Sequence, residues 1–170
     1  MQYAASFVGW SNTGKTRLIS RLTAGFSAEG YQVGCLKQGH SGPDFETSGK
    51  DTEQFFRSGA GQVGFLSPQG GFIRYRVPPP VEVFYTQFAS CDILLIEGVL
   101  SKAVPCFEVI ASADRLADAK FSPESLTGYI AMSIDTAESE YDQSKLPILP
   151  GTAPEVIIKF LEELWNAKSP

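Results

Sequence analysis

The chain opens on a short apolar run, Tyr3 to Val8 (YAASFV), without alternation between apolar and polar positions. A strand buried on both faces reads this way. From Lys15 to Ala28 the period changes: Leu18, Ile19, Leu22 and Phe26 fall on one helical face, and Gly30 just beyond is a natural stop. Gln32 to Lys37 (QVGCLK) returns to a strand pattern. Strand, glycine-rich turn, helix and strand make a βαβ unit, which predicts a second strand parallel to the first.

Further along, 38–50 is polar, rich in Gly and Ser, and carries Asp44 and Glu46, the pattern of a mobile loop. Asp51 to Ser58 predicts a short helix opened by an acidic residue. Gln62 to Leu66 and Gly71 to Val77 flank SPQGG, a hairpin signal, and three prolines end the hairpin before a helix over Val81 to Ala89. Asp92 to Ile96 (DILLI) is the most strand-like run, followed at once by Glu97 and Gly98; Phe107 to Ile110, Tyr129 to Ser133 and Pro147 to Leu149 are further strands. In the last helix Thr152 and Glu155 read as a capping box, Pro154 lies in the first turn, and Ile157, Phe160, Leu161, Leu164 and Trp165 share a face. No repeat, low-complexity tract or linker divides residues 1–170. The expected architecture is a single three-layer α/β domain with a mostly parallel sheet and a β-hairpin extension.

Composition narrows the function classes. A length of 170 residues with 43% hydrophobic and 19% charged residues suits one globular domain with a real core. The net charge of -5 argues against a general nucleic-acid binder, yet leaves room for a local positive pocket. No run approaches the ~20 apolar residues that span a bilayer, and the N-terminus lacks the basic segment of a signal peptide, so a cytoplasmic protein is expected. Cys35, Cys91 and Cys106 show no ligand spacing and read as reduced, mostly buried thiols.

The chemistry sits in GWSNTGKT, Gly9 to Thr16, which fits G-x-x-x-x-G-K-[ST] between a buried strand and a helix. Gly9 and Gly14 let the backbone curl so that successive N–H groups face a phosphate. Lys15 supplies a point charge, the Thr16 hydroxyl is a magnesium ligand candidate, and the helix adds its positive end. A second acid belongs at the end of a neighbouring buried strand. Asp92 and Glu97 flank DILLI about 16 Å apart at ~3.3 Å per residue. Ligands gather at the carboxyl ends of parallel strands, which selects Glu97 and leaves Asp92 as a strand-edge or capping residue. Gly98 is placed to bring its N–H to a terminal phosphate.

Other candidates keep two readings. Lys37 ends the second strand on the phosphate edge, or is a solvated lysine. His40, the one histidine, is more simply solvated. Asp44 and Asp51 reach a magnesium ion if the loop folds over the nucleotide, or are turn and helix-cap residues. No NKxD sequence is present to choose GTP over ATP, and no nucleophile–base pair stands out. Binding is better supported than fast turnover.

These residues resemble the MobB family, the molybdopterin-guanine dinucleotide biosynthesis adaptor proteins. The resemblance runs from Gln2 to about Leu164 through VGWSNTGKT, VGCLKQGH, GKDTEQFFRSGA (Gly49 to Ala60), DILLIEG and LPILP. It implies a P-loop NTPase fold, GTP and Mg²⁺ binding, at most slow hydrolysis, and a homodimer. It also implies a supporting role beside a MobA-like guanylyltransferase that joins GMP to molybdopterin, with molybdopterin itself a candidate ligand. By position, Gly9, Ser11, Asn12, Thr13, Gly14, Lys15 and Thr16 would hold phosphates. Lys37, Asp44 and Asp51 would form a switch-like segment, and Glu97 the magnesium-side acid. The family's His-rich run is reduced here to His40, and two of its rim lysines are Leu100 and Cys106.

Two other classes share the motif. A small-molecule kinase needs arginines over the phosphates, and Arg74 and Arg76, on one strand face, are the available pair; solvated edge charges explain them more simply. A metal-insertion GTPase needs a Cys/His cluster, which the sequence lacks.

Overall fold

The computed structural model describes residues 3–39, 51–100, 102–133 and 146–167. By internal contacts the chain forms two compact units, one of residues 1–38 and 89–170, the other of residues 39–88.

The larger unit is built on six strands: β1 (Tyr3–Val8), β2 (Val33–Lys37), β5 (Ile93–Glu97), β6 (Cys106–Ser112), β7 (Gly128–Ser133) and β8 (Ile148–Pro150). They lie in the order β2-β5-β1-β6-β7-β8, and every pairing is parallel. β2 is parallel to β1, as the βαβ pattern requires, but β5 inserts between them. The register aligns Phe7, Glu97 and Lys37 across β1, β5 and β2. Connections leave β1 and β5 in opposite directions, so the crevice of a doubly wound sheet opens at the carboxyl end of β1.

The helices α1 (Lys15–Ala28) and α4 (Pro154–Asn166) cover one face of this sheet. Phe7, Leu22, Phe26, Phe107, Ile157 and Leu161 are fully buried between them. Each such side chain contributes about 1.5–3 kcal/mol relative to exposure. Trp165 stacks on Tyr3 with ring centroids 5.1 Å apart and donates its indole N–H to the Ala4 carbonyl at 3.1 Å, tying α4 to the first strand. On the opposite face Ile110, Tyr129 and Ala131 pack under Leu116 and Leu126, carried by 3₁₀ turns at Ala113–Asp118 and Pro123–Ser125. Those turns have no periodic pattern and are not evident from the sequence.

Two expectations need correction. α4 is capped by Ala153 without a side-chain hydrogen bond, so Thr152 and Glu155 form no capping box. Pro154 presets the first turn and the buried face holds the helix instead. Of the cysteines only Cys106 is buried; Cys91 is intermediate, and Cys35 is exposed because β2 is the outermost strand, although its thiol lies 3.2 Å from the Thr23 hydroxyl of α1. All three are free thiols.

The smaller unit contains α2 (Asp51–Arg57), the antiparallel hairpin of β3 (Gln62–Ser67) and β4 (Gly70–Tyr75), and α3 (Val81–Tyr85), continued by a 3₁₀ turn at Thr86–Phe88. Arg74 and Arg76 are not solvated edge charges. Both guanidinium groups lie over the Phe56 ring, at 3.7 and 4.2 Å from its centroid. Arg74 pairs with Glu53 at 2.6 Å, while Arg76 donates to the carbonyls of Phe56 and Ala60. The pair fastens α2 to the hairpin. Arg57 and then Arg74, both hydrogen-bonded to Glu53, hold its carboxyl below the usual range.

Candidate functional site: a glycine loop at the switch point

The loop between β1 and α1 takes the shape that its glycines permit. Gly9 has φ +131°, and a Cβ there would meet the Val109 carbonyl oxygen at 2.6 Å. Gly14 caps α1 with φ +93°, and Asn12 has φ +63°. Thr13 closes the loop internally, its hydroxyl donating to the Trp10 carbonyl at 3.0 Å. No side chain caps α1 and no acidic residue occupies its first turn. Its first amides are therefore left for an anion.

Lys15 folds back over the loop, donating to the Gly9 carbonyl at 3.2 Å and to that of Trp10. Burial pushes its ammonium below the ordinary value of 10.5, Glu97 opposes that shift, and repulsion from Lys37 and Lys120 adds to it. A polyphosphate would supply the missing negative charge.

Thr16 and Glu97 meet directly. The hydroxyl donates to Oε2 of Glu97 at 2.8 Å, and Oε1 pairs with Lys37 at 3.0 Å. Lys37 faces Glu97 because the register sets them opposite each other on adjacent strands. The hydroxyl and carboxylate oxygens stand about as far apart as neighbouring ligands of an octahedral Mg²⁺, roughly 2.8–3.0 Å for metal–oxygen bonds of ~2.0–2.1 Å. Among the described residues no group of three or more His, Cys, Asp or Glu side chains gathers as a metal cage. Two protein oxygens, with the rest from phosphate and water, is the usual provision for magnesium. The residues present fit that ion.

Asp92 behaves as a strand-edge residue, accepting the Gln32 amide at 2.8 Å. Gly98 does not offer its N–H to a phosphate, because that N–H is donated to the Phe7 carbonyl at 2.9 Å as the sheet ladder continues. Its φ of +91° and the Gln38 carbonyl, 2.8 Å from a would-be Cβ, explain the glycine. Asp51 opens α2 in the smaller unit, and His40 and Asp44 lie outside the described residues.

One supporting residue was missed in the sequence reading. Glu108 is fully buried in β6 and accepts the Lys120 amide at 2.6 Å and the Phe121 amide at 3.1 Å. It fixes the backbone that carries Lys120, whose ammonium lies 5.1 Å from the Trp10 ring. Trp10 in turn donates its indole N–H to the Asp118 carbonyl at 3.0 Å. The signal was a lone acid inside the apolar run CFEVI.

The family model described as molybdopterin guanine dinucleotide synthesis protein B matches residues 4–134. The chain belongs to the MobB family. Among MobB relatives, the Escherichia coli molybdopterin-guanine dinucleotide biosynthesis adapter protein is 31% identical over 99 residues, 55% of this chain and 57% of that protein. A Bacillus subtilis protein, the probable molybdopterin-guanine dinucleotide biosynthesis adapter protein, is 32% identical over 118 residues, 64% of this chain and 65% of that one. The chain thus spans 57% to 65% of the length of these relatives. A crystal structure of Bacillus subtilis MobB superposes with a TM-score of 0.72 at 27% identity, covering 95% of this chain and 96% of that one. The parallel sheet flanked by helices, and the accompanying hairpin, are therefore those of MobB structures.

Proposed function

We propose that this MobB-family protein binds GTP with Mg²⁺ and acts as an adaptor in the synthesis of molybdopterin guanine dinucleotide, beside the guanylyltransferase that joins GMP to molybdopterin. The contact of Thr16 with Glu97 at the mouth of the glycine loop carries the reading, because it sets a hydroxyl and a carboxylate side by side for one magnesium ion. The loop from Gly9 to Thr16 orients the phosphates through its backbone N–H groups and the start of α1. Lys15 neutralises them, and Lys37 holds the Glu97 carboxylate in place. Bound magnesium would screen the phosphate charge and fix the phosphates' orientation. Glu97 is engaged by both Thr16 and Lys37, so it serves as a ligand rather than a general base, which favours holding over fast hydrolysis. In this reading the protein is cytoplasmic and a homodimer, and the switch-like segment includes Asp44 and Asp51.

No observation favours a small-molecule kinase, since the arginines it would use are committed to Phe56 and Glu53. Calorimetry with GTP and ATP, each with and without Mg²⁺, on wild type and Lys15→Ala tests the proposal. Magnesium-dependent GTP binding lost in the variant is expected. Tight ATP binding with GTP ignored would overturn it, and a persistent monomer in light scattering would remove the dimer.

A further inference from the structure

Beside the glycine loop, on the side away from Lys37, lies an open cavity of about 560 Å³. This volume is in the range of small-molecule sites. The four loop residues after Gly9 form one wall, and Ile110, Ala111, Arg115 and Asp118 form the other. Its surface combines three chemistries. The Trp10 indole, 55% exposed, gives an aromatic face whose orientation is fixed by its N–H bond to the Asp118 carbonyl. The Asp118 carboxylate meets Nε of Arg115 at 3.0 Å, leaving its other oxygen and the terminal guanidinium nitrogens without partners among the described residues. Both groups are exposed, and Lys120 stands over the Trp10 ring as a further cation.

We infer that this cavity receives a 2-amino-4-oxopyrimidine ring, the edge common to guanine and to pterins; the inference rests on the glycine loop being a nucleotide site. That edge presents two adjacent N–H donors, which suit a carboxylate, next to a carbonyl, which suits a guanidinium. The ring face stacks on the indole. Adenine presents an acceptor nitrogen where guanine presents a donor, and would set a lone pair against Asp118. Discrimination of this kind needs no NKxD sequence. The ring has two sources: the base of the nucleotide held by the adjoining loop, or a separate pterin whose anionic group lies near Lys120.

Calorimetric titrations of GTP, ATP and pterin-6-carboxylate into the full-length protein with Mg²⁺ separate these sources. Asp118→Asn and the cavity-filling Ala111→Phe are the variants. If guanine occupies the cavity, wild type prefers GTP over ATP at least about tenfold, and Asp118→Asn brings the ratio near unity with ATP affinity unchanged. If a pterin occupies it, pterin-6-carboxylate weakens about tenfold in Asp118→Asn and ceases to bind in Ala111→Phe, while both nucleotides stay within twofold. Variants that alter neither the GTP/ATP ratio nor pterin affinity overturn the inference. So does an equal loss of both nucleotides, which would make the cavity wall a mere support for the loop. A wild type that binds GTP and ATP equally and no pterin sinks the inference alone; one that binds no nucleotide sinks the proposed function with it.

Discussion

Replacing Gly9 by alanine isolates the physical demand of the phosphate loop. Its φ of +131° strains any residue with a Cβ, costing about 1–3 kcal/mol. The added carbon would also stand 2.6 Å from the Val109 carbonyl oxygen. That oxygen belongs to β6, which is held between β1 and β7 and cannot retreat. Overpacking of this kind adds about 1–3 kcal/mol, for a combined cost of about 2–6 kcal/mol. In a chain of this size each kcal/mol lowers Tm by about 2–4 °C, so a drop of about 4–24 °C is expected. Gly30→Ala is the control. Gly30 has φ +94° but nothing within 4 Å of a would-be Cβ. It should lose only about 1 kcal/mol, or ~2–4 °C. Thermal unfolding followed by circular dichroism compares the two. A Gly9→Ala shift no larger than that of Gly30→Ala would refute the close approach between loop and β6.

Thr16→Val should leave magnesium-free GTP binding within about threefold of wild type and abolish the gain that Mg²⁺ brings, read by titration with and without EDTA. Glu108→Leu strips the Lys120 and Phe121 amides of their acceptor, so urea unfolding should show a loss of about 2–3 kcal/mol, whereas Glu108→Gln keeps a carbonyl acceptor and loses less. Phosphate binding raises the depressed pKa of Lys15, so nucleotide affinity is full at neutral pH and falls as pH climbs through a free-protein value below 10.5; a Kd that stays flat as pH passes 10.5 would exclude a charged Lys15 at the phosphate. Glu53 has the opposite sign: its depressed pKa contributes stability above the usual carboxylate range that disappears on acidification, so amide protection factors in α2, corrected for the intrinsic exchange rate, should fall at low pH, and Arg57→Gln should weaken that dependence more than Arg74→Gln.

The sheet and its two long helices are legible because burial on both faces and a 3.6-residue period leave marks in composition. Glu97 could be selected over Asp92 from strand direction, but its contact with Thr16 depends on β5 lying beside β1, which the βαβ pattern alone does not specify. Thr152 and Glu155 have the spacing of a capping box, but the non-helical N-cap is Ala153 and the helix begins at Pro154, which sets Thr152 one residue too early. The roles of Arg74 and Arg76 were hidden for another reason. Which ring they cover depends on how α2 folds back on the hairpin, and alternation along one strand carries no information about its partner. The lone Glu108 could have been noticed, but the amides it serves lie 12 and 13 residues ahead in turns without periodicity.

Charge explains how an acidic chain comes to offer an anion site. The net charge of -5 describes the whole surface, while a site responds to what lies within about a Debye length. Around the loop the relevant cations are Lys15, Lys37 and Lys120, which reach it from α1, β2 and the β6–β7 connection. Glu97 balances Lys37 through a direct ion pair, and Glu108 uses both oxygens on backbone amides. Lys15 is left with burial and the repulsion of two other lysines as the forces that lower its pKa. The free protein thus carries an unfavourable charge arrangement that a polyphosphate relieves. Lys120→Gln tests this directly: it should raise the Lys15 pKa in the free protein and weaken triphosphate binding about threefold to tenfold at low salt, with the difference shrinking as salt rises. An unchanged affinity at low salt would mean that Lys120 belongs to the Trp10 ring alone, and that the loop meets its anion with α1 and Lys15 only.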